Sequence, residues 1–146
     1  MPIGRRIVVV GGGLVGVELA EFLAERGRAV TVLEEGEDLA TEMAHPRRWR
    51  ALHEARQRGV VFQTGATITG ITTTHVEYRQ GDETHRALAD TVVLAGGIQP
   101  DASLGERIRE ATGLDVDVIG DAAATGYIQG ARSEEHTSEL QSHLNL

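Results

Sequence analysis

The sequence predicts an α/β fold, a doubly wound parallel sheet accompanied by a three-stranded antiparallel β-meander. The first observation is the β-branched run Arg6–Val10, which is typical of a central parallel strand buried on both faces. A glycine-rich turn, a segment of helical apolar spacing and a second β-branched run follow directly, in the order of a right-handed crossover unit. Later in the chain, short segments separated by turn residues indicate the meander.

The crossover unit is predicted to place one helix between two parallel strands. The helix is expected over residues 14–26, with Gly27 as its C-terminal cap, and the second strand over Ala29–Leu33. The apolar helix positions expected to pack are Val15, Leu19, Phe22 and Leu23. After a polar loop, Pro46 is expected to open a second helix that carries Trp49 into the core.

The remaining elements are predicted from shorter patterns. A third strand is expected at Val60–Phe62, followed by the meander and by a buried parallel strand at Asp90–Ala95. The predicted meander strands are Thr67–Ile71, His75–Tyr78 and Arg86–Leu88. Ser103–Thr112 is expected to be a short helix and Val116–Asp121 a last strand.

Composition limits the classes of function. The 146 residues carry a formal net charge of -8, so a nucleic-acid partner, which needs a basic face, is not expected. The absence of cysteine excludes disulfides and thiolate metal sites, and the histidines lack metal-ligand spacing, so no metal is expected. No apolar stretch reaches the roughly 18 residues of a membrane span, and no apolar signal region follows Met1. We therefore expect no membrane partner and a cytoplasmic location.

The glycine-rich turn has a physical reason for each glycine of its motif. In the spacing Gly11-x-Gly13-x-x-Gly16, the first glycine permits the tight turn, the second lets the backbone touch a pyrophosphate, and the third lets the helix pack close to the strand. The helix N-terminus then offers unpaired N–H groups and the positive end of its dipole to the phosphates. The predicted binding residues of this Rossmann-like turn are Gly11, Gly12, Gly13, Leu14, Val15 and Gly16.

An acidic residue ends the second strand and favours one dinucleotide. Glu34 lies 23 positions after Gly11, close to the spacing of about 20 residues expected for a carboxylate that binds the adenosine ribose. A carboxylate at this place accepts hydrogen bonds from the ribose hydroxyls and repels a 2′-phosphate. The sequence therefore favours NAD(H) over NADP(H) as the bound dinucleotide.

The turn and its surroundings also resemble a known family. Residues 8–18 (VVVGGGLVGVE) resemble the NADH-binding domain of two-dinucleotide flavoproteins, the pyridine nucleotide-disulfide reductases and their relatives. The likeness is greatest to the C-terminal part of the NADH:flavin oxidoreductases, the group of 2,4-dienoyl-CoA reductase and trimethylamine dehydrogenase. In that group a NAD domain is inserted into a FAD domain, and both follow an FMN barrel with an iron–sulfur cluster.

Further stretches extend the resemblance and imply further cofactor contacts. Residues 91–101 are similar to the segment that leaves the NAD domain, with an Ala-x-Gly-x-x-Pro pattern around Gly97, although Ile98 stands where relatives often have arginine. Gly120 and Asp121 match the Gly-Asp pair that reaches the FAD ribityl chain in this family. The resemblance thus implies FAD as a cofactor of the full-length parent.

Glu18 has two interpretations. The resemblance implies a place near the nicotinamide, because relatives of the disulfide-reductase type carry a glutamate there. By itself, Glu18 is an acid in the first turn of a helix, where the helix dipole favours a negative charge. Both interpretations stay open from the sequence.

The family's plan gives an expected domain organisation. Residues 1–88 are expected to form the NAD(H)-binding domain with its meander, and residues 89–131 the exit strand and part of the FAD-binding domain. In the parent, hydride would pass from NADH to FAD, and no catalytic side chain is expected because the cofactors carry out the reaction. The missing FAD and FMN-barrel domains are the expected partners, and the isolated fragment is expected to be inactive. Two alternatives stay open: a stand-alone nucleotide-sensing module, and a glycine turn that binds FAD.

The last residues are expected to be non-native. Residues 132–142 (RSEEHTSELQS) resemble the translation of a common short-read sequencing adapter, and residues 143–146 fit its continuation. We therefore exclude residues 132–146 from the predicted fold and expect the native protein to continue beyond Ala131.

Overall fold

The computed structural model of the chain describes residues 3–124, so the adapter-like segment 132–146 lies outside the described residues. The strands are β1 (Arg6–Val10), β2 (Ala29–Leu33), β3 (Val61–Gln63), β4 (Ala66–Ile71), β5 (His75–Gln80), β6 (Glu83–Leu88) and β7 (Thr91–Leu94). The helices are α1 (Leu14–Glu25), α2 (His45–Gln57) and α3 (Ser103–Thr112). Within the described range, no helix combines the length and apolarity needed to cross a bilayer.

A four-stranded parallel sheet forms the centre of the first compact unit, which ends at Gly97. Its strand order is β3-β2-β1-β7, so the first strand lies between the second and the last. The chain builds outward on one side of β1 and later returns to its other side, and ligands of open α/β sheets bind where the strand order reverses in this way. The turn that follows Val10 lies at this reversal.

Both faces of the sheet are covered. Ile7 and Val9 of β1 pack into a cluster with Leu23 of α1 and Ala55 of α2. Val8 points to the opposite face, where Val76 and other meander residues cover it. The alternate burial explains the continuous β-branched run, because a strand covered on both faces has no side that favours polar residues.

The three-stranded sheet β4-β5-β6 is antiparallel throughout, with an irregularity between Ile68 and Gly70. Its strands are longer than predicted, but their number and order are confirmed. Tyr78 on β5 is buried and stacks on His85 of β6, with ring centroids 5.4 Å apart. The predicted fold class, a parallel α/β sheet with a three-stranded meander, is therefore confirmed.

The packing face of α1 differs from the prediction. Leu19 and Leu23 do contact the core, but Val15 and Phe22 are 56% and 49% exposed. The fully buried positions are instead Gly16, Val17, Ala20 and Leu23. Gly16 and Ala20 let α1 lie close to the sheet, while Phe22 lies on the outer side of the helix under the Arg26 guanidinium.

Trp49 is not in the core, contrary to the prediction. It is 63% exposed and stacks on His53, with ring centroids 5.0 Å apart. The reason lies in α2, where Ala55 is the one fully buried residue. A helix that contacts the core through so narrow an apolar face leaves its tryptophan on the outside.

Two predicted strands at the C-terminal side also differ. The Asp90–Ala95 segment does form a parallel strand with β1, but β7 lies at the sheet edge and its residues are only half-buried, with Leu94 73% exposed. The predicted strand Val116–Asp121 is absent: the segment 113–119 is irregular and Gly120–Ala122 form a 3₁₀ turn. The Arg109 side chain donates a hydrogen bond to the Val116 carbonyl at 2.7 Å, which takes an acceptor that a strand ladder would use.

The division between the two compact units falls after Gly97, so β7 belongs to the sheet of the first unit. The second unit begins at Ile98 and contains α3, which ends at Gly113 in the left-handed conformation. The assignment of these later residues to a FAD-binding domain stays a prediction.

A charged pair on the meander gives a testable pH dependence. Arg86 donates to Glu77 at 2.9–3.0 Å, and this hydrogen bond, with a smaller contribution from His75, holds the pKa of Glu77 below its ordinary value of 4.5. Because the folded pKa is the lower one, the stabilisation is present above the ordinary pKa and is lost as the pH falls through the lowered folded value. We expect Arg86→Ala to raise the pKa of Glu77 in a carboxyl NMR titration.

The matched control is Arg79→Ala, which removes the same charge from the neighbouring part of β5 and should leave the pKa of Glu77 low. An unchanged pKa of Glu77 in the Arg86→Ala protein would contradict this assignment.

Candidate dinucleotide-binding site

The glycine turn between β1 and α1 has a backbone that requires glycine at its first position. Gly11 has φ +108°, and a Cβ there would lie 2.5 Å from the carbonyl oxygen of Ala95. Its N–H donates to the carbonyl oxygen of Leu33 at 2.8 Å. The turn is therefore held between the ends of β2 and β7, on the two sides of β1.

Gly16 and Gly13 act at the start of α1. Any Cβ at Gly16 would overlap the carbonyl oxygen of Gly11, so the helix can approach the turn only without a side chain here. Gly13 is the N-cap residue, has an extended backbone and makes no side-chain cap, while its carbonyl accepts the Val17 N–H at 3.0 Å. The first N–H groups of α1 therefore point out of the helix without a cap from their own turn.

Glu34, the residue after β2, links the end of that strand to the glycine turn through side-chain hydrogen bonds. Its carboxylate accepts the Gly12 N–H at 2.5 Å through Oε2 and the Gly36 N–H at 2.8 Å through Oε1. Its backbone is also fixed, since its N–H donates to Gln63 and its carbonyl accepts the Ala66 N–H, both at 2.9 Å. The residue predicted to bind the ribose is thus half-buried and held against the glycine turn.

The segment after β2 is irregular, as predicted, and it packs on the glycine turn. The Ala40 N–H donates to the Gly12 carbonyl at 2.7 Å, and Ala40 adopts a left-handed φ of +47°. Leu39 and Met43 are buried in a cluster with Val17 of α1. This anchoring gives the loop a defined position beside the start of the helix.

Glu42 of this loop is a site residue that the sequence reasoning missed. Its Oε2 accepts the Leu14 N–H at 3.2 Å, and its Oε1 would lie 2.8 Å from a Cβ at Gly13. The carboxylate therefore occupies the space in front of the first N–H of α1. No sequence pattern predicts this contact, because Glu42 lies 28 positions from Leu14 in a polar loop.

Glu18 does not cap α1, which corrects one of its two interpretations. The first turn of the helix contains no acidic residue. Glu18 follows that turn, and its side chain forms an exposed ion pair with Arg47 at 3.2 Å. Its proposed place near a nicotinamide stays a prediction.

The remaining predicted residues lie in two different units. Gly97 follows β7 and is exposed at the end of the first unit. Gly120 has φ +65° and begins the 3₁₀ turn of the second unit, which also contains Asp121. The structure thus brings the glycine turn and Glu34 together, whereas the roles of Gly97, Gly120 and Asp121 towards FAD stay predictions.

The charges of the site suit an anionic ligand that also carries hydroxyl groups. The N-terminus of α1 offers N–H donors and a positive dipole end, and the carboxylate of Glu34 offers acceptors beside it. In the part of the chain that is described, no cluster of three or more His, Cys, Asp or Glu could hold a metal ion.

Comparison with known proteins gives the family. Residues 1–129 match the sequence profile described as pyridine nucleotide-disulphide oxidoreductase. The chain belongs to this family. Its members generally bind FAD and NAD(P)H and include flavin-dependent oxidoreductases, so the resemblance of residues 8–18 to two-dinucleotide flavoproteins is confirmed at this level.

Individual relatives are much longer than this chain. It is 37% identical to an NADH oxidase of Thermoanaerobacter brockii over 131 residues, which are 88% of this chain and 20% of the relative. It is 37% identical to a bilirubin reductase of Mediterraneibacter gnavus over 121 residues, 83% of this chain and 19% of the relative. Among solved structures, 2-naphthoyl-CoA reductase superposes with a TM-score of 0.73 at 26% identity, over 87% of this chain and 19% of that one. The chain spans about a fifth of the length of each.

The close approach at Gly16 predicts a strong effect of one methyl group. We expect Gly16→Ala to destabilise the fold by about 1–3 kcal/mol or more, because the new Cβ overlaps a backbone oxygen that cannot move without shifting the turn. Thermal unfolding measures the change.

Gly96→Ala is the matched control, since nothing lies within 4 Å of a Cβ there. It should unfold like the wild type, and equal stability of the Gly16→Ala and Gly96→Ala proteins would show that the helix is not in contact with the turn.

Proposed function

We propose that this chain is the NAD(H)-binding module of a flavin-dependent oxidoreductase. The observation that carries the proposal is the Glu34 carboxylate, held at the glycine turn by the N–H groups of Gly12 and Gly36. It puts an acceptor for ribose hydroxyls next to a helix N-terminus that suits a pyrophosphate. These are the two polar parts of a dinucleotide that a Rossmann-like turn recognises.

The pyrophosphate would be bound by the backbone at the start of α1. The N–H groups of Leu14 and Val15 belong to the first turn of the helix, where no intrahelical acceptor exists for them. Gly13 has no Cβ to separate the backbone from the phosphates. The proposed binding of the pyrophosphate therefore depends on the backbone at these positions.

The charges near Glu34 support NADH over NADPH. A 2′-phosphate on the adenosine ribose would meet the Glu34 carboxylate, and NADP sites usually supply an arginine for it. Two arginines at the start of α2 pair with other acids: Arg48 contacts Asp38 at 2.8 Å, and Arg47 contacts Glu18 at 3.2 Å. Each of these guanidinium groups thus contacts a carboxylate other than that of Glu34.

In the full-length parent, the proposed reaction is the transfer of a hydride from NADH to FAD. The nicotinamide, when bound, supplies the hydride, and the residues of this chain bind and orient the dinucleotide. Gly97, Gly120 and Asp121 are proposed to belong to the FAD side of the parent. The missing parts are proposed to be the FAD domain and an FMN barrel, as in the group of 2,4-dienoyl-CoA reductase and trimethylamine dehydrogenase. This is supported by the chain spanning about a fifth of its relatives.

Calorimetric titration of the 146-residue chain with NADH, NADPH and FAD tests the proposal. We expect NADH to bind most tightly of the three, and the chain alone to oxidise no NADH in the presence of free FAD. Tighter binding of FAD than of NADH would instead assign the turn to the flavin. Binding of none of the three would overturn the proposal.

Glu34 makes the preference for NADH testable by substitution. We expect Glu34→Gln to weaken NADH binding by about tenfold or more, since hydrogen bonds to a charged group contribute about 1.5–3 kcal/mol. NADPH binding should weaken less or improve, because the repulsion of its 2′-phosphate is removed. The ratio of the two dissociation constants, measured by calorimetry, reports the change.

The matched control is Glu35→Gln, which removes the same charge from the neighbouring exposed residue. It should leave that ratio unchanged. Equal losses of NADH and NADPH affinity in the Glu34→Gln protein would contradict a role in discrimination.

A further inference from the structure

We propose that Glu42 is a built-in competitor for the pyrophosphate position, so that the dinucleotide must displace its carboxylate from the start of α1 in order to bind. This inference rests on the proposed function, since it concerns the same site. Its consequence is a lower affinity for the dinucleotide than the glycine turn would otherwise give.

The contact itself places an anion where the ligand's anion would lie. Glu42 Oε2 accepts the Leu14 N–H at 3.2 Å, and Leu14 is the first residue of α1. Glu42 Oε1 lies 2.8 Å from the point that a Cβ of Gly13 would occupy. The absence of a side chain at Gly13, which lets a phosphate approach the backbone, also lets this carboxylate approach it.

The loop that carries Glu42 is fixed at both sides of it. Ala40, two residues before Glu42, donates to the Gly12 carbonyl at 2.7 Å and holds a left-handed backbone. Met43, the next residue, is buried with Leu39 in the cluster around Val17. The backbone at Glu42 is therefore positioned by the glycine turn itself, so displacement of the carboxylate from Leu14 would be a movement of the side chain.

The N-terminus of α1 attracts the Glu42 carboxylate and a pyrophosphate for the same electrostatic reason. A helix N-terminus stabilises one negative charge, and it does so for the Glu42 carboxylate as long as no ligand is bound. A pyrophosphate that takes this position has to break the contact with Leu14 and then lies beside a displaced negative charge. Glu42 thus stabilises the free protein and opposes binding. Removal of its charge should therefore lower the stability of the free protein and raise its affinity for the dinucleotide.

The test is a titration of wild type, Glu42→Gln and Glu42→Ala with NADH, together with thermal unfolding of the free proteins. We expect Glu42→Gln to bind NADH about two- to fivefold more tightly, the factor that a charge at a helix terminus gives. The unfolding temperature of the free protein should fall by a few degrees. Glu42→Ala should change both quantities in the same directions.

The matched control is Glu37→Gln, which removes the same charge from the same loop. The Glu37 carboxylate faces Gly65, with Oε1 3.3 Å from a Cβ built there, and not the helix. It should leave the NADH dissociation constant at the wild-type value. An equal gain in the Glu37→Gln and Glu42→Gln proteins would show a general effect of net charge and would overturn the inference.

The remaining outcomes separate this inference from the proposed function. Unchanged or weaker NADH binding by both Glu42 variants, with clear binding by the wild type, would overturn the competitor role and leave the dinucleotide site in place. A failure of all the proteins to bind NADH would overturn the proposed function and this inference together.

Discussion

The contact between Gly16 and the Gly11 carbonyl is the constraint on which the rest of the structure depends. Because no Cβ fits between them, α1 starts in direct contact with the turn that ends β1. The start of the helix therefore lies at the turn after β1, where the strand order reverses. The same close approach accounts for the buried Gly16 and Ala20 on the inner face of α1, whereas Phe22 lies on the outer face.

Two carboxylates make the opening of the site acidic, and they do so in different ways. Glu34 is tied to the Gly12 N–H and the Gly36 N–H, so its position is set before any ligand arrives. Glu42 contacts the helix N-terminus from a loop that is anchored to the Gly12 carbonyl through Ala40. On the proposed function, binding at a site fixed in this way would need little reorganisation apart from the proposed displacement of the Glu42 side chain.

Local patterns predicted the parts of this site that lie close together in the sequence. The β-branched run Arg6–Val10, the three motif glycines and Glu34 follow from strand burial and from the crossover unit, and the structure has the predicted strand, turn and helix, with Glu34 in contact with the turn. Glu42 could not be predicted, because its partner Leu14 is distant in the sequence and the loop between them follows no periodic pattern. The side-chain orientation of a long loop depends on tertiary contacts such as those of Ala40.

The wrong predictions share a different cause. A strand was expected at Val116–Asp121 because its residues suit one, but a strand also needs a neighbour, and Val118 instead packs against Gly105 of α3. Trp49 was expected in the core because of its size, yet the narrow face of α2 leaves it outside. In both cases the residue type was judged without knowledge of the surface that would cover it.

The central claim is that the start of α1 binds a dinucleotide pyrophosphate, and amide NMR tests it most directly. Addition of NADH to the ¹⁵N-labelled chain should move the amide resonances of Gly13, Leu14 and Val15 more than those of any residue in α3. The same resonances should move on addition of ADP-ribose, which carries the pyrophosphate without the nicotinamide. Saturation with NADH that leaves the Leu14 and Val15 amides unmoved would contradict the account.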